Sequence, residues 1–194
     1  MKGLTCTGID VSAASVATAK DKGFDVREAA FDDLDRVLAG DERFDAVVLS
    51  HVMEHVDDPL GVMQTLLKRL NPGGQLMTAI PYSPMSRELT DWDIMNLPPH
   101  HLTRWNAQSL NALGQALGCH VELPAAKAKS PFKRAVQDTC GEVLGNKHPS
   151  TLARMTTVLS HPGLFKNFLA HHQARDRVNG QAAGDSVLAV FYPA

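Results

Sequence analysis

The chain has 194 residues, of which 44% are apolar and 21% charged, with a formal net charge of −2. That length supports one domain with a substantial core, and the Lys and Arg residues are scattered, with nothing resembling the basic stripe with which nucleic-acid binders displace counterions. No apolar run approaches the roughly 20 residues that span a bilayer, and Met1–Asp10 lacks the basic and apolar regions of a signal peptide, so the expectation is a cytoplasmic protein acting off the membrane.

The order of elements predicts an α/β domain. Leu4 to Ile9 is a short β-tolerant run ending at Asp10. Ser12 can cap a helix over Ala13 to Lys22, which Gly23 stops. Phe24 to Ala29 reads as a second strand and Asp32 to Ala39 as a short helix. Phe44 to Ser50 is the strongest strand, nearly continuous in apolar residues, as expected of a strand covered on both faces. Asp57 or Asp58 can cap a helix that carries Pro59 in its first turn. Leu60, Met63, Leu66, Leu67 and Leu70 recur there at helical spacing. Asn71-Pro72-Gly73-Gly74 supplies turn chemistry before a strand from Gln75 to Ile80.

Alternating strands and helices with short connections imply right-handed crossovers and a mostly parallel sheet. The stretch from Tyr82 to Trp105 breaks that rhythm with Pro84, Pro98 and Pro99 and holds both tryptophans, Trp92 and Trp105. A long irregular loop of this kind is usually functional or mobile. A helix follows over Asn106 to Leu117, stopped by Gly118, then a strand over Cys119 to Leu123. Phe132 to Asn179 reads as helical segments separated by Gly145, Pro149 and Pro162, and Ser186 to Tyr192 as a last strand. The single domain therefore spans 1–194, with a helical insertion over 125–180.

Several residues could carry chemistry. A carboxylate beyond the C-terminal end of a parallel strand sits where α/β sheets bind ligands, and Asp10 there could accept hydrogen bonds from both hydroxyls of a ribose. Taken alone, it reads first as a helix cap or a loop carboxylate. His51-Val52-Met53-Glu54-His55 fits H-x-x-E-H, in which two histidines one helical turn apart bind zinc. That chemistry needs a helix through both histidines, and Ser50 and Asp57-Asp58-Pro59 leave little room for one. No metal is therefore expected, and a zinc-dependent hydrolase remains a third reading. His171-His172, near Arg175 and Arg177, reads as a solvated helix face. Cys6, Cys119 and Cys140 are too few and too scattered for a disulfide framework or a four-cysteine zinc site.

The run Phe44-Asp45-Ala46-Val47-Val48, then Glu54-His55-Val56-Asp57-Asp58-Pro59, then Asn71-Pro72-Gly73-Gly74, with Gly8-Ile9-Asp10 upstream, resembles class I S-adenosylmethionine-dependent methyltransferases. The stretch Leu97–Trp105 resembles a loop of small-molecule members, and the resemblance covers most of 4–123 and the last strand. It implies a Rossmann-like three-layer sandwich, S-adenosyl-L-methionine as cofactor and a small-molecule acceptor. It also implies Asp10 on the cofactor ribose, Ile9 and Val11 beside the adenosine, and Phe31 or Asp32 near the adenine. Ser50 and His51 would line the methionine end. His100 and His101 are the candidates for removing the acceptor's proton, since imidazole titrates near neutral pH; alternatively they hydrogen-bond across a lid stiffened by Pro98-Pro99. Trp92 and Trp105 could roof the acceptor pocket or pack in the core. The family's first strand and glycine-rich turn have no counterpart before Gly8, so the expectation is a fold truncated at its N-terminus. Two readings stay open: a methyltransferase, and a non-catalytic remnant or interaction module. Neither the acceptor's identity nor the oligomeric state follows from these residues.

Overall fold

The computed structural model describes residues 3–85, 88, 94–124, 130–145, 149–179 and 186–194. Strands β1 (Gly8–Asp10) and β2 (Val26–Glu28) form a parallel pair, joined by helix α1 (Ala13–Asp21). Ser12 caps α1 by accepting the N–H of Ser15. A single 3-10 turn (Phe31–Asp33) leads into the short helix α2 (Leu34–Val37). Strand β3 (Phe44–Ser50) then enters a separate four-stranded sheet ordered β3-β4-β6-β5, where β4 is Leu70–Pro81, β5 Cys119–Glu122 and β6 Ser186–Pro193.

Helix α3 (Pro59–Leu67) crosses from β3 to its parallel neighbour β4, and α4 (Ala107–Leu117) precedes β5. The cap expected at the start of α3 forms, and α4 has one that the sequence reading did not name. Asp58 accepts the Gly61 N–H, and Asn106 and Ser109 form a reciprocal capping box. One face of the sheet is fully buried: Leu76, Thr78 and Ile80 of β4 and Ala189 and Phe191 of β6. Met63 and Leu66 of α3 and Leu110 and Leu113 of α4 join them in one core.

Four expectations change. The sheet is mixed, because β6 enters antiparallel between β4 and β5. The Asn71–Gly74 segment lies inside β4, where the pairing with β3 slips from Phe44↔Leu70 to Ala46↔Gln75; α3 accordingly ends at Leu67, before Leu70. The apolar run of β3 is not covered on both sides, and Val48 is 61% exposed. Among the described residues β3 pairs with β4 alone, so its other edge borders an open cleft towards β1.

The region after β5 holds α5 (Pro131–Leu144), α6 (Thr151–Ser160) and α7 (Pro162–Asn179), which pack on one another. Here the solvated-face reading of His172 fails. Its ring is buried with Nε2 2.8 Å from an Asp138 carboxylate oxygen, because α7 turns that residue onto α5. Among the described residues no helix is long and apolar enough to cross a membrane.

Candidate functional site

Two adjoining features follow from the ends of the parallel strands. The first is a cleft of about 500 Å³ between the β1–β2 pair and the β3 edge. Ile9, Asp10, Val11, Phe31 and Ser50 all line it. Asp10 stands at the C-terminal end of β1, and one of its carboxylate oxygens accepts the Ser12 N–H at 2.7 Å. That bond holds the carboxylate at the mouth of the cleft. Most of the lining is apolar, with Ala29, Leu34 and Leu49 among its buried members.

Two residues expected there do not line it. Asp32 is exposed; its 3-10 turn presents Phe31 to the cleft and carries the next side chain out of it. His51 has a backbone φ of 53°, a left-handed bend at the end of β3, and its ring turns to Glu54 instead of the cleft.

The second feature lies just beyond β3, on the 3-10 turn Met53–His55. Glu54 is almost fully buried, at 1% exposure. His51 Nδ1 lies 3.1 Å from Glu54 Oε1; a carboxylate accepts, so the ring donates. Glu54 Oε2 is buried with no hydrogen-bond partner.

The segment Pro98–Trp105 closes over this turn. Leu102 N–H donates to the Glu54 carbonyl at 2.7 Å, and the Thr103 hydroxyl donates to the Met53 carbonyl at 2.9 Å. The two histidines of this segment are thereby separated in role. His100 has an exposed position, and its carbonyl lies 2.6 Å from His55 Nδ1. His101 turns inward, with its ring edge-to-face with His55 at a centroid distance of 4.9 Å. Burial holds the His101 pKa below the ordinary imidazole value; the Glu54 carboxylate opposes that effect, and the neighbouring histidines reinforce it.

The zinc-protease arrangement is not formed: Met53–His55 is one 3-10 turn and no helix runs through His51 and His55. Glu54 is the residue that sequence reading passed over. Its signal was available in the same five-residue motif, which draws attention to the two histidines instead. Trp105 is packed in the core, at 7% exposure, with its indole N–H donating to the Thr103 hydroxyl, whereas Trp92 lies outside the described residues.

A methyltransferase domain model matches residues 1–123. The ubiquinone biosynthesis O-methyltransferase of Pseudomonas syringae pv. tomato is 34% identical over 82 residues, covering 39% of this chain and 34% of that enzyme. Its Pseudomonas entomophila counterpart is 35% identical over 81 residues, with the same coverage of 39% and 34%. The match thus spans about a third of the length of these curated relatives.

Among solved structures, a SAM-dependent methyltransferase from Archaeoglobus fulgidus superposes with a TM-score of 0.57 at 15% identity, covering 96% of this chain and 74% of that one. The plantazolicin methyltransferase BamL, solved with a desmethylPZN analog and SAH, gives 0.56 at 12% identity, covering 100% and 69%. The YcgJ protein from Bacillus subtilis gives 0.55 at 14% identity, covering 97% and 82%. At such identities these likenesses establish the α/β Rossmann-like fold.

Proposed function

Since this chain belongs to the class I S-adenosylmethionine-dependent methyltransferase family, we propose that it transfers a methyl group from S-adenosylmethionine to a hydroxyl oxygen of a small-molecule acceptor. The observation that carries the reading is the convergence of Ile9, Asp10, Val11, Phe31 and Ser50 on one cleft at the strand ends. The donor set fits the adenosine part of the cofactor. Asp10 presents a carboxylate to accept the ribose hydroxyls, and Ile9 and Phe31 offer apolar walls to the base. Ser50 lines the same cleft from β3, where the methionine part would lie.

When bound, S-adenosylmethionine supplies an electrophilic methyl group; the task of the chain's own residues is alignment. The acceptor would approach from the Glu54, His55 and His101 side, two residues along the chain from Val52, which also lines the cleft. An oxygen acceptor is supported by the Pseudomonas relatives, which are O-methyltransferases.

Calorimetry with S-adenosylhomocysteine tests the cofactor site. The expected result is micromolar binding that Asp10→Ala weakens by about tenfold or more, the worth of hydrogen bonds to a charged group. Incubation with methyl-labelled S-adenosylmethionine and a panel of hydroxylated aromatic molecules then tests transfer. Absence of any cofactor binding would favour the non-catalytic module.

A further inference from the structure

We infer that Glu54, His55 and His101 form a binding site for a divalent transition metal of the zinc or cobalt class. Their candidate ligand atoms all lie within 4.8 Å of one another. Small rotations of the two imidazoles would bring them to the ~3.3 Å that bonds of about 2.0–2.1 Å impose around a tetrahedral ion.

Hydrogen bonds around the cluster prepare two of the three ligands for that role. The His100 carbonyl can only accept, so His55 Nδ1 carries its proton there at 2.6 Å. In the neutral ring this leaves the lone pair on Nε2. A carbonyl partner on the far nitrogen is the usual outer support of a metal-bound histidine, fixing both tautomer and ring orientation.

Glu54 is prepared in the same way. His51 donates to Oε1, and Oε2 remains buried with no partner. A carboxylate oxygen so deeply buried is costly unless something positive meets it. His101 approaches from the opposing segment, which the Leu102–Glu54 backbone bond holds against the turn. The edge-to-face setting of the two rings, 76° apart, lets both imidazoles aim at a common point.

Two imidazoles and one carboxylate suit borderline transition ions better than magnesium or calcium, which favour all-oxygen shells. Three protein ligands also leave coordination open for an oxygen of another molecule. Metal binding stands independently of the methyl-transfer reading; a role in orienting the acceptor's hydroxyl rests on it. His101 is then a ligand in place of a free proton acceptor.

The test is titration of the untagged chain with Co²⁺, followed by its visible d–d absorption, and with Zn²⁺ by calorimetry, without cofactor or acceptor. One ion per chain is expected. His51→Ala, which removes only the outer hydrogen bond, should weaken binding about tenfold. Glu54→Gln and His101→Ala should each weaken it further and alter the cobalt spectrum. His100→Ala retains the carbonyl and His120→Ala is remote; both should bind as the parent does. Circular dichroism establishes that each variant is folded, and His101→Gln serves if Glu54→Gln is not. Binding unchanged by these ligand substitutions, or no binding at ~100 µM metal, about −5.5 kcal/mol, overturns the proposal. Because cofactor affinity is measured separately, failure here leaves the methyltransferase reading intact.

Discussion

Glu54 and Leu102 are joined through their backbones, the Leu102 N–H donating to the Glu54 carbonyl at 2.7 Å across a separation of 48 positions. This bond and its neighbours make the turn after β3 and the Pro98–Trp105 segment one unit. The Thr103 hydroxyl is the second fastening: it donates to the Met53 carbonyl and accepts the Trp105 indole N–H, both at 2.9 Å.

Thr103→Val keeps the shape of the side chain but orphans the indole N–H of a tryptophan that is only 7% exposed. The expected loss is about 1–3 kcal/mol, the cost of an unsatisfied buried donor. Urea unfolding followed by tryptophan fluorescence checks it, and an unchanged midpoint would contradict the assigned bonds.

Two ion pairs should respond very differently to removal of the acid. Arg134 and Asp176 join α5 to α7 at 2.5 Å, with side chains only 11% and 17% exposed. Asp176→Ala leaves a largely buried guanidinium without its counter-charge, and the expected loss is about 3 kcal/mol. Arg69 is as buried, with its side chain 8% exposed, but that of its partner Asp35 is 92% exposed and the other terminal nitrogen of Arg69 keeps the Ala39 carbonyl, so water can take the place of the lost carboxylate. Asp35→Ala should cost about 1 kcal/mol or less. Thermal or denaturant unfolding of the two variants side by side tests the contrast.

Arg27 links β2 to its surroundings through Asp25 and Glu42. The Thr7 hydroxyl and Arg27 hold the Asp25 carboxyl below its ordinary value, and Arg27 with the Ala39 N–H does the same for Glu42. Folded-state values below the unfolded ones mean that this contribution is complete above the ordinary values of 3.8 and 4.5 and is lost as pH falls through the folded ones. Acidification below about pH 4.5 should therefore destabilise the parent more steeply than Arg27→Leu. Denaturant midpoints measured from pH 6 down to about pH 3 provide the comparison; parallel curves would refute it.

Adjacent glycines in β4 should differ in their tolerance of alanine. At Gly74 a Cβ would meet three backbone oxygens, of Asn71 at 2.9 Å, Phe44 at 3.1 Å and Asp45 at 3.2 Å. None of these can swing away, so Gly74→Ala should cost about 1–3 kcal/mol by overpacking and shift the β3–β4 register. Gly73 has open space but a φ of 77°, and Gly73→Ala should cost about 1–2 kcal/mol from the left-handed backbone alone. Stability measurements and amide chemical shifts along Phe44–Ala46 distinguish the two.

Elements carried by local signals were legible in the sequence. Ser12 and Asp58 announce helix starts by a side chain a few residues from the N–H it caps, and the structure places each cap there. What the sequence hid depends on distant partners. An apolar run like β3 looks the same whether one edge or both are paired. Asn71-Pro72-Gly73-Gly74 has turn chemistry, yet it becomes a slip within β4 because β3 continues beside it. His172 looks like part of a polar helix face until Asp138, 34 positions earlier, is folded against it. The same holds for Glu54: the motif pairs it with His51 and His55, whereas folding brings His101 from the next segment.

The open edge of β3 has a consequence for how the protein exchanges its amide hydrogens. His51 N–H donates to Ala79 in β4, and because strand amides alternate in direction, those of Val48 and Ser50 point the other way, into the cleft. Val47 and Leu49 should exchange slowly while their immediate neighbours exchange fast, a two-residue rhythm along the middle of what looks like a core strand. The β1–β2 pair lies across that row of unprotected amides, so it can open without disturbing the four-stranded sheet, and the two should show separate opening energies. Any molecule that fills the cleft would then announce itself by slowing exchange at Val48 and Ser50 before any change appears in β4.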